Sequence, residues 1–201
     1  MSAETPGSVE LPLFPLPMVV FPGGQLELRI FEPRYLDLVR DCTREDRGFG
    51  ITLLIEDGES GKQPMPAGVG TEARIVDFFS REDGLLGIRV EGRRRFRIES
   101  AHARPDLLLV GDVNWYATDP LLKLPAEYVL LATILERIHE HVGSEIGTID
   151  RERYDDASWV GFRLAEAFPL VNAERQLLLQ IDDPLQRLDQ LMHYLPRFQR
   201  D

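Results

Sequence analysis

The sequence predicts an α+β fold in which a β-rich N-terminal unit is followed by a helical one. Two observations carry this. Before about residue 120, short apolar runs of period two alternate with Gly and Pro. Beyond it, apolar residues recur at spacings of three and four, and Asp119-Pro120 marks the change. The expected boundaries are residues 9–118 for the β-rich unit and 119–201 for the helical one.

The first run, Leu11-Pro12-Leu13-Phe14-Pro15-Leu16-Pro17, is apolar but rich in proline, which predicts an extended strand at a sheet edge. Phe21-Pro22-Gly23-Gly24 reads as a turn, and Gln25 to Ile30 alternates as a strand. Pro33 suits the first turn of a helix that places Tyr35, Leu38 and Val39 on one face, with Cys42 close by. Ile51, Leu53 and Ile55 give another strand. The Gly/Pro-rich stretch from Glu56 to Gly70 reads as a loop. Leu86, Ile88 and Val90 share a strand face that Phe96 and Ile98 continue beyond Gly92, so the segment is expected to be bent or paired. The opposite parity carries Arg89, Arg93, Arg95 and Arg97. Leu107 to Val113 completes the strands, with Trp115-Tyr116 as the exit.

In the second half, Tyr128, Leu131, Leu135, Ile138 and Val142 form the buried stripe of a helix. A second helix spans roughly Asp156 to Phe168 and is apolar on most sides, so it must be enclosed. Asn172 is expected to cap a short helix through Leu179. Asp183-Pro184 supplies a cap and a first-turn proline for the last helix, which buries Leu185, Leu188, Met192 and Leu195.

Composition removes several function classes. The 201 residues carry a formal net charge of −11, which opposes non-specific nucleic-acid binding through phosphate neutralisation. Lys62 and Lys123 are the only lysines, so arginine carries nearly all the positive charge. The opening MSAETPGSVE lacks the basic and apolar regions of a signal peptide, and no uninterrupted apolar run reaches about 18 residues. A cytoplasmic location without membrane insertion is expected. One cysteine, Cys42, excludes an internal disulfide and a multi-cysteine zinc site.

Catalytic constellations fail on residue type or spacing. Gly61-Lys62 lacks the first glycine and the hydroxyl of a phosphate-binding loop, because Glu56 and Gln63 occupy those places. His139 and His141 are two residues apart and diverge on a helix, whereas zinc-protease ligands stand one turn apart. Neither a Gly-x-Ser-x-Gly elbow nor a Ser-Lys signature occurs. No cofactor, metal site or enzymatic activity is expected.

Residues 11–35 then give a resemblance. Leu13-Phe14-Pro15-Leu16, Phe21-Pro22-Gly23 and Leu28-Arg29-Ile30-Phe31-Glu32-Pro33-Arg34-Tyr35 resemble the opening of the Lon protease substrate-binding domain family in content and spacing. Gly70-Thr71-Glu72-Ala73-Arg74-Ile75 and Val90-Glu91-Gly92-Arg93-Arg94-Arg95-Phe96 resemble two of its strands. Gln176-Leu177-Leu178 and Asp183-Pro184 through Arg187-Leu188 resemble its helical ending, so the likeness covers about residues 9–195.

The resemblance implies a PUA-like β pseudo-barrel followed by a helical bundle, and a role in recognising unfolded segments or degrons. Lon proteases also carry ATPase and Ser-Lys protease domains, which the 201 residues are not expected to contain. The expected partners are unfolded or degron-bearing proteins, with a protease or chaperone alongside. Phe14, Phe21, Phe31 and Tyr35 are assigned mainly to the core and its turn. The candidate peptide contacts beside the proline-rich strand are Pro15, Pro17, Met18 and Phe21. The alternative is RNA bound by the face of Arg89, Arg93, Arg95 and Arg97, and a third reading puts a small-molecule site in the Glu56–Gly70 loop.

Overall fold

A computed structural model describes residues 8–55, 65–142 and 149–198. The chain divides into two compact units between Tyr116 and Ala117. The first holds strands β1 (Val9–Leu16), β2 (Gln25–Ile30), β3 (Phe49–Ile55), β4 (Met65–Ser80), β5 (Leu86–Ala103) and β6 (Leu109–Trp115), with helix α1 (Pro33–Arg44) between β2 and β3. The strands form one mixed sheet in the order β2-β5-β4-β3-β1-β6. A further pairing of β5 with β6 closes it into a pseudo-barrel.

Closure depends on β1, which is internal to the sheet and not at its edge. Val9 to Leu13 pair antiparallel with β6, and Leu13 to Leu16 pair parallel with β3. The edge expectation fails because the stagger gives each proline a half-strand with one partner. Pro12 pairs on the β6 side before the β3 ladder begins, and Pro15 pairs on the β3 side after the β6 ladder has ended. A missing N–H is tolerated where the nitrogen faces an unpaired side.

Two apolar clusters flank the sheet. Phe14, Ile30, Leu38, Val39, Phe49, Ile51, Ile88 and Val90 belong to the larger, which α1 covers, and Leu11, Leu13, Phe96 and Val113 form the smaller. Ile88 and Phe96 share a parity yet lie in different clusters. The reason is a bulge: Thr71 pairs with Arg95 but Ala73 with Gly92, so β5 carries one extra residue there and its alternation reverses. Phe96 packs over the backbones of Gly50 and Gly70, where a Cβ at Gly50 would approach the ring to 2.6 Å. The Phe96 and Trp115 rings meet nearly at right angles, and the Arg94 guanidinium lies 4.0 Å over the indole.

Gly24 N–H donates to Phe21 C=O at 3.0 Å, and Gly23 has φ +77°. Pro22 and Gly23 thus occupy the two central positions of a type II turn, the second of which favours glycine. Residues 65–70, read from sequence as loop, belong to β4 and pair with β3 and β5. Residues 56–64 of that stretch, with Lys62, lie outside the described residues. Leu107 does not begin β6. It sits at φ +67° in the turn before it, and the strand continues through Trp115.

The second unit contains α2 (Val129–Val142), α3 (Ala157–Ala167), α4 (Asn172–Gln180) and α5 (Pro184–Tyr194). Leu131, Leu135, Val160, Leu164, Leu178, Leu188 and Leu191 have no exposed surface, and α3 is enclosed as its composition requires. Val142 ends the α2 stripe exposed. Asp156 and Asp183 cap α3 and α5 by accepting from Ser158 N–H and Leu185 N–H. Asn172 is the first residue of α4 and not its cap; Glu174 reaches back to accept from Val171 N–H at 3.2 Å. Tyr128 donates its hydroxyl to Asp189 at 2.7 Å, joining the entry of α2 to α5, and that bond with burial pushes the phenol up to about 12. Trp159 packs with His139 and Tyr154, whose hydroxyl lies 2.7 Å from His139 Nδ1.

Arg187 is the least expected core residue, at 0% exposure. It donates from Nε and Nη2 to the carbonyls of Leu178 and Ile181, pairs with Asp119 at 2.9 Å and lies 3.8 Å over the Phe162 ring. It thereby ties α3, the end of α4, α5 and the segment leading into the unit. Removing one partner of a buried pair strands the other charge, at about 3–5 kcal/mol. Arg187→Ala is expected to destabilise the protein by that amount in urea denaturation. Arg187→Leu combined with Asp119→Leu is expected to lose less, because neither charge is left alone.

Candidate functional site

The β1 stagger leaves an opening. Past Leu13, β1 has lost β6, and a groove of about 860 Å³ runs there, lined by Phe14, Pro15 and Leu16 of β1 and Glu27, Leu28 and Arg29 of β2. Phe31, Glu32, Arg34 and Tyr35, from the β2–α1 junction, line it further, with Leu54 and Leu107. Tyr35 stacks on Phe14 at 3.9 Å between centroids, and burial raises its phenol above the usual value, so it stays neutral. Phe31 is 61% exposed and Leu107 67% exposed.

Polar groups fix this groove. Arg34 lies 4.7 Å over the Tyr35 ring, pairs with Glu32 at 2.7 Å and donates from Nη1 to Leu107 C=O at 2.8 Å. That last bond helps hold Leu107 in a left-handed conformation that costs a residue with a Cβ about 1–2 kcal/mol. The opposite rim is also paired, Glu27 with Arg89 at 2.9 Å and Arg29 with Asp83 at 3.2 Å. The rim charges are neutralised from within, and the space between them is apolar.

Of the four candidate peptide contacts, Pro15 lines this groove. Pro17 is exposed and Met18 half-buried on the segment that follows. Phe21 is withdrawn from the group: at 0% exposure its ring is core, and bringing it out would forfeit about 1.5–3 kcal/mol of burial. Phe31 departs the other way: expected in the core, it projects to solvent at the end of β2. Sequence reasoning also left out Leu107; its signal was Arg-Pro-Asp before it, a turn that places an apolar residue at a tip.

The arginine row does not form one open face. Arg95 is 4% exposed, turned in by the bulge, with its guanidinium 4.6 Å from the Tyr116 ring. Arg89 pairs with Glu27 and Asp77, Arg93 with Glu91, and Arg97 donates to Tyr116 Oη at 2.9 Å. Three of the four remain at the surface, each already engaged.

Among the described residues, no group of three or more His, Cys, Asp or Glu is arranged to hold a metal ion, and no helix is long and apolar enough to cross a membrane. Cys42 is buried on α1, its thiol 3.7 Å from Gly48 C=O, and burial pushes it up to about 11. Only a thiolate is a competent nucleophile, so this one is silent near neutral pH.

The fold and groove can be set beside known proteins. The family model described as the ATP-dependent protease La (LON) substrate-binding domain matches residues 10–197. The chain belongs to this family. A crystal structure of a Lon N-terminal domain protein from Xanthomonas campestris is similar at 46% identity and a TM-score of 0.79, covering 92% of this chain and 98% of that one. The N-terminal domain of a Mycobacterium avium complex Lon protease shares the fold, with a TM-score of 0.68 at 21% identity over 94% of this chain and 98% of that one. The Lon protease of Erwinia amylovora is 24% identical over 96% of this chain and 25% of its own length. The chain therefore spans about a quarter of that protease. Substrate binding is the role the family model's description names, and the match extends through both the barrel and the helices.

Native protein at pH 8 is expected to resist thiol-specific dyes, with Cys42 reacting fully only after denaturation. Rapid labelling of the native thiol would contradict its placement in the core.

Proposed function

We propose that this chain is a binding module for exposed apolar segments of unfolded or degron-bearing proteins, acting as a quality-control adaptor in the cytoplasm. The observation that carries the reading is the groove between β1 and β2, with Phe31 and Leu107 standing in solvent on its margin. Apolar side chains gathered at a concave, polar-rimmed surface mark interaction sites in soluble proteins. The Leu107 backbone adds to this, because strain concentrates at functional positions. Pro15 forms part of the wall, and Pro17 and Met18 follow it on the next stretch of chain as further candidate contacts. The groove's charged groups are occupied with one another or with neighbours, which suits binding and not catalysis. A protease or chaperone would then act on what the module holds.

Calorimetric titration with reduced, carboxymethylated α-lactalbumin tests the reading. Phe31→Asp and Leu107→Asp are each expected to weaken binding by about tenfold or more. Both positions are exposed and Asp tolerates the left-handed backbone, so unfolding should shift by only about 0.5 kcal/mol. Undiminished affinity in both variants would remove the groove from the function.

A further inference from the structure

β2 is hydrogen-bonded along one side. It ends the sheet order, and its pairing with β5 runs from Gln25↔Glu91 to Ile30↔Leu86. The neighbouring turn shows which of its groups face away. Gly92 donates its N–H to Gly24 C=O at 2.8 Å and accepts from Gly23 N–H at 2.7 Å, so Gly92 faces β2. Alternation along an antiparallel ladder then turns Val90, Ile88 and Leu86 toward β2, and their partners Leu26, Leu28 and Ile30 toward β5. Gln25, Glu27 and Arg29 are left with three N–H donors and three C=O acceptors pointing outward. Among the described residues, no turn or loop backbone takes these groups.

That unpaired side borders the groove. The groove touches Glu27, Leu28 and Arg29, while from β5 it touches only Ala103, at the far end of the strand from the β2 ladder. The facing wall differs in kind. Beyond Leu13 the free half of β1 contains Pro15 and is followed by Pro17, and neither carries an N–H. One wall can zip a backbone and the other is blunted against it.

We propose that an extended, uncharged apolar segment of an unfolded protein binds by adding to the outer edge of β2 as a further strand, with alternate side chains over Phe14, Leu16 and Phe31. This rests on the peptide-binding reading above and specifies its geometry. Main-chain bonds to Gln25, Glu27 and Arg29 supply affinity without regard to sequence, and the groove selects apolar side chains at every second position. The charge pattern argues for the same occupant: Glu27, Arg29, Glu32 and Arg34 are each paired within the protein, so an uncharged segment is the complement.

Backbone N-methylation separates this mode from side-chain recognition alone. The probes are a short fluorescein-labelled peptide alternating valine or phenylalanine with serine, and two versions N-methylated at either the odd or the even residues. A strand uses one of its edges, so one methylated version is expected to lose about tenfold or more in affinity while the other binds as the parent does. The amides of Gln25, Glu27 and Arg29 are expected to exchange more slowly with the parent bound. Equal affinity for all three peptides would overturn strand addition while leaving the groove as a peptide site. Absence of binding by the parent peptide would overturn both readings. Protection of those amides in a peptide-free dimer would overturn the proposal by making a second copy the occupant.

Discussion

Leu13 is the hinge on which the barrel turns, because it alone pairs with both neighbours of β1, with Leu109 on one side and Gly50 on the other. A strand wholly paired with β6 would leave β3 with β4 as its one neighbour, and one wholly paired with β3 could not close the sheet. Passing from one partner to the other lets five strands form a ring while β2 lies outside it on the first half of β5. The same hand-over opens the groove, since the space β6 vacates after Leu13 is not refilled by another strand. Helix α1 covers the larger apolar cluster through Leu38, Val39 and Cys42, and its first turn supplies Arg34 and Tyr35 to the groove. Closure and opening thus come from one pairing choice.

Much of this was legible in the sequence because local chemistry and tertiary environment agree. Gln25–Ile30, Pro33–Arg44 and the Asp183-Pro184 start of α5 occur where their patterns indicate. The departures have identifiable physical causes. Pro12 and Pro15 suggest an edge only if a strand must have the same neighbours along its whole length. The bulge between Gly92 and Arg95 adds one residue, which no periodicity signals in advance, and it carries Arg95 inward and Phe96 to the second cluster. Phe31 and Phe21 are equally apolar in sequence. Their opposite fates depend on the tertiary surroundings, with Phe21 enclosed where its backbone abuts Gly92 and Phe31 left at the end of β2. Of the groove, Pro15 could be seen beforehand, while Leu107 and the Arg34 clamp become adjacent only when residues 73 positions apart meet.

The charge distribution explains how an acidic protein can present an apolar site. Carboxylates outnumber basic groups, yet in the barrel they are spent largely on arginines: Glu72 serves Arg74 and Arg94, Glu27 and Asp77 serve Arg89, and Glu10 serves Arg104. Most of these pairs are exposed and individually contribute about 0–1 kcal/mol, so their effect is less to stabilise the fold than to even out the local field. Arg187 is the contrasting case, a charge retained in the helical core where its hydrogen bonds to two helix-end carbonyls satisfy groups that would otherwise be stranded.

The aromatic packing has an optical consequence. The sequence contains two tryptophans, and the two compact units hold one each: Trp115 beneath a guanidinium in the barrel, and Trp159 among His139 and Tyr154 in the helical unit. Replacing either indole by phenylalanine would make the remaining emission report on a single unit. The molecule therefore carries its own pair of fluorophores for asking whether barrel and helices melt together or in turn.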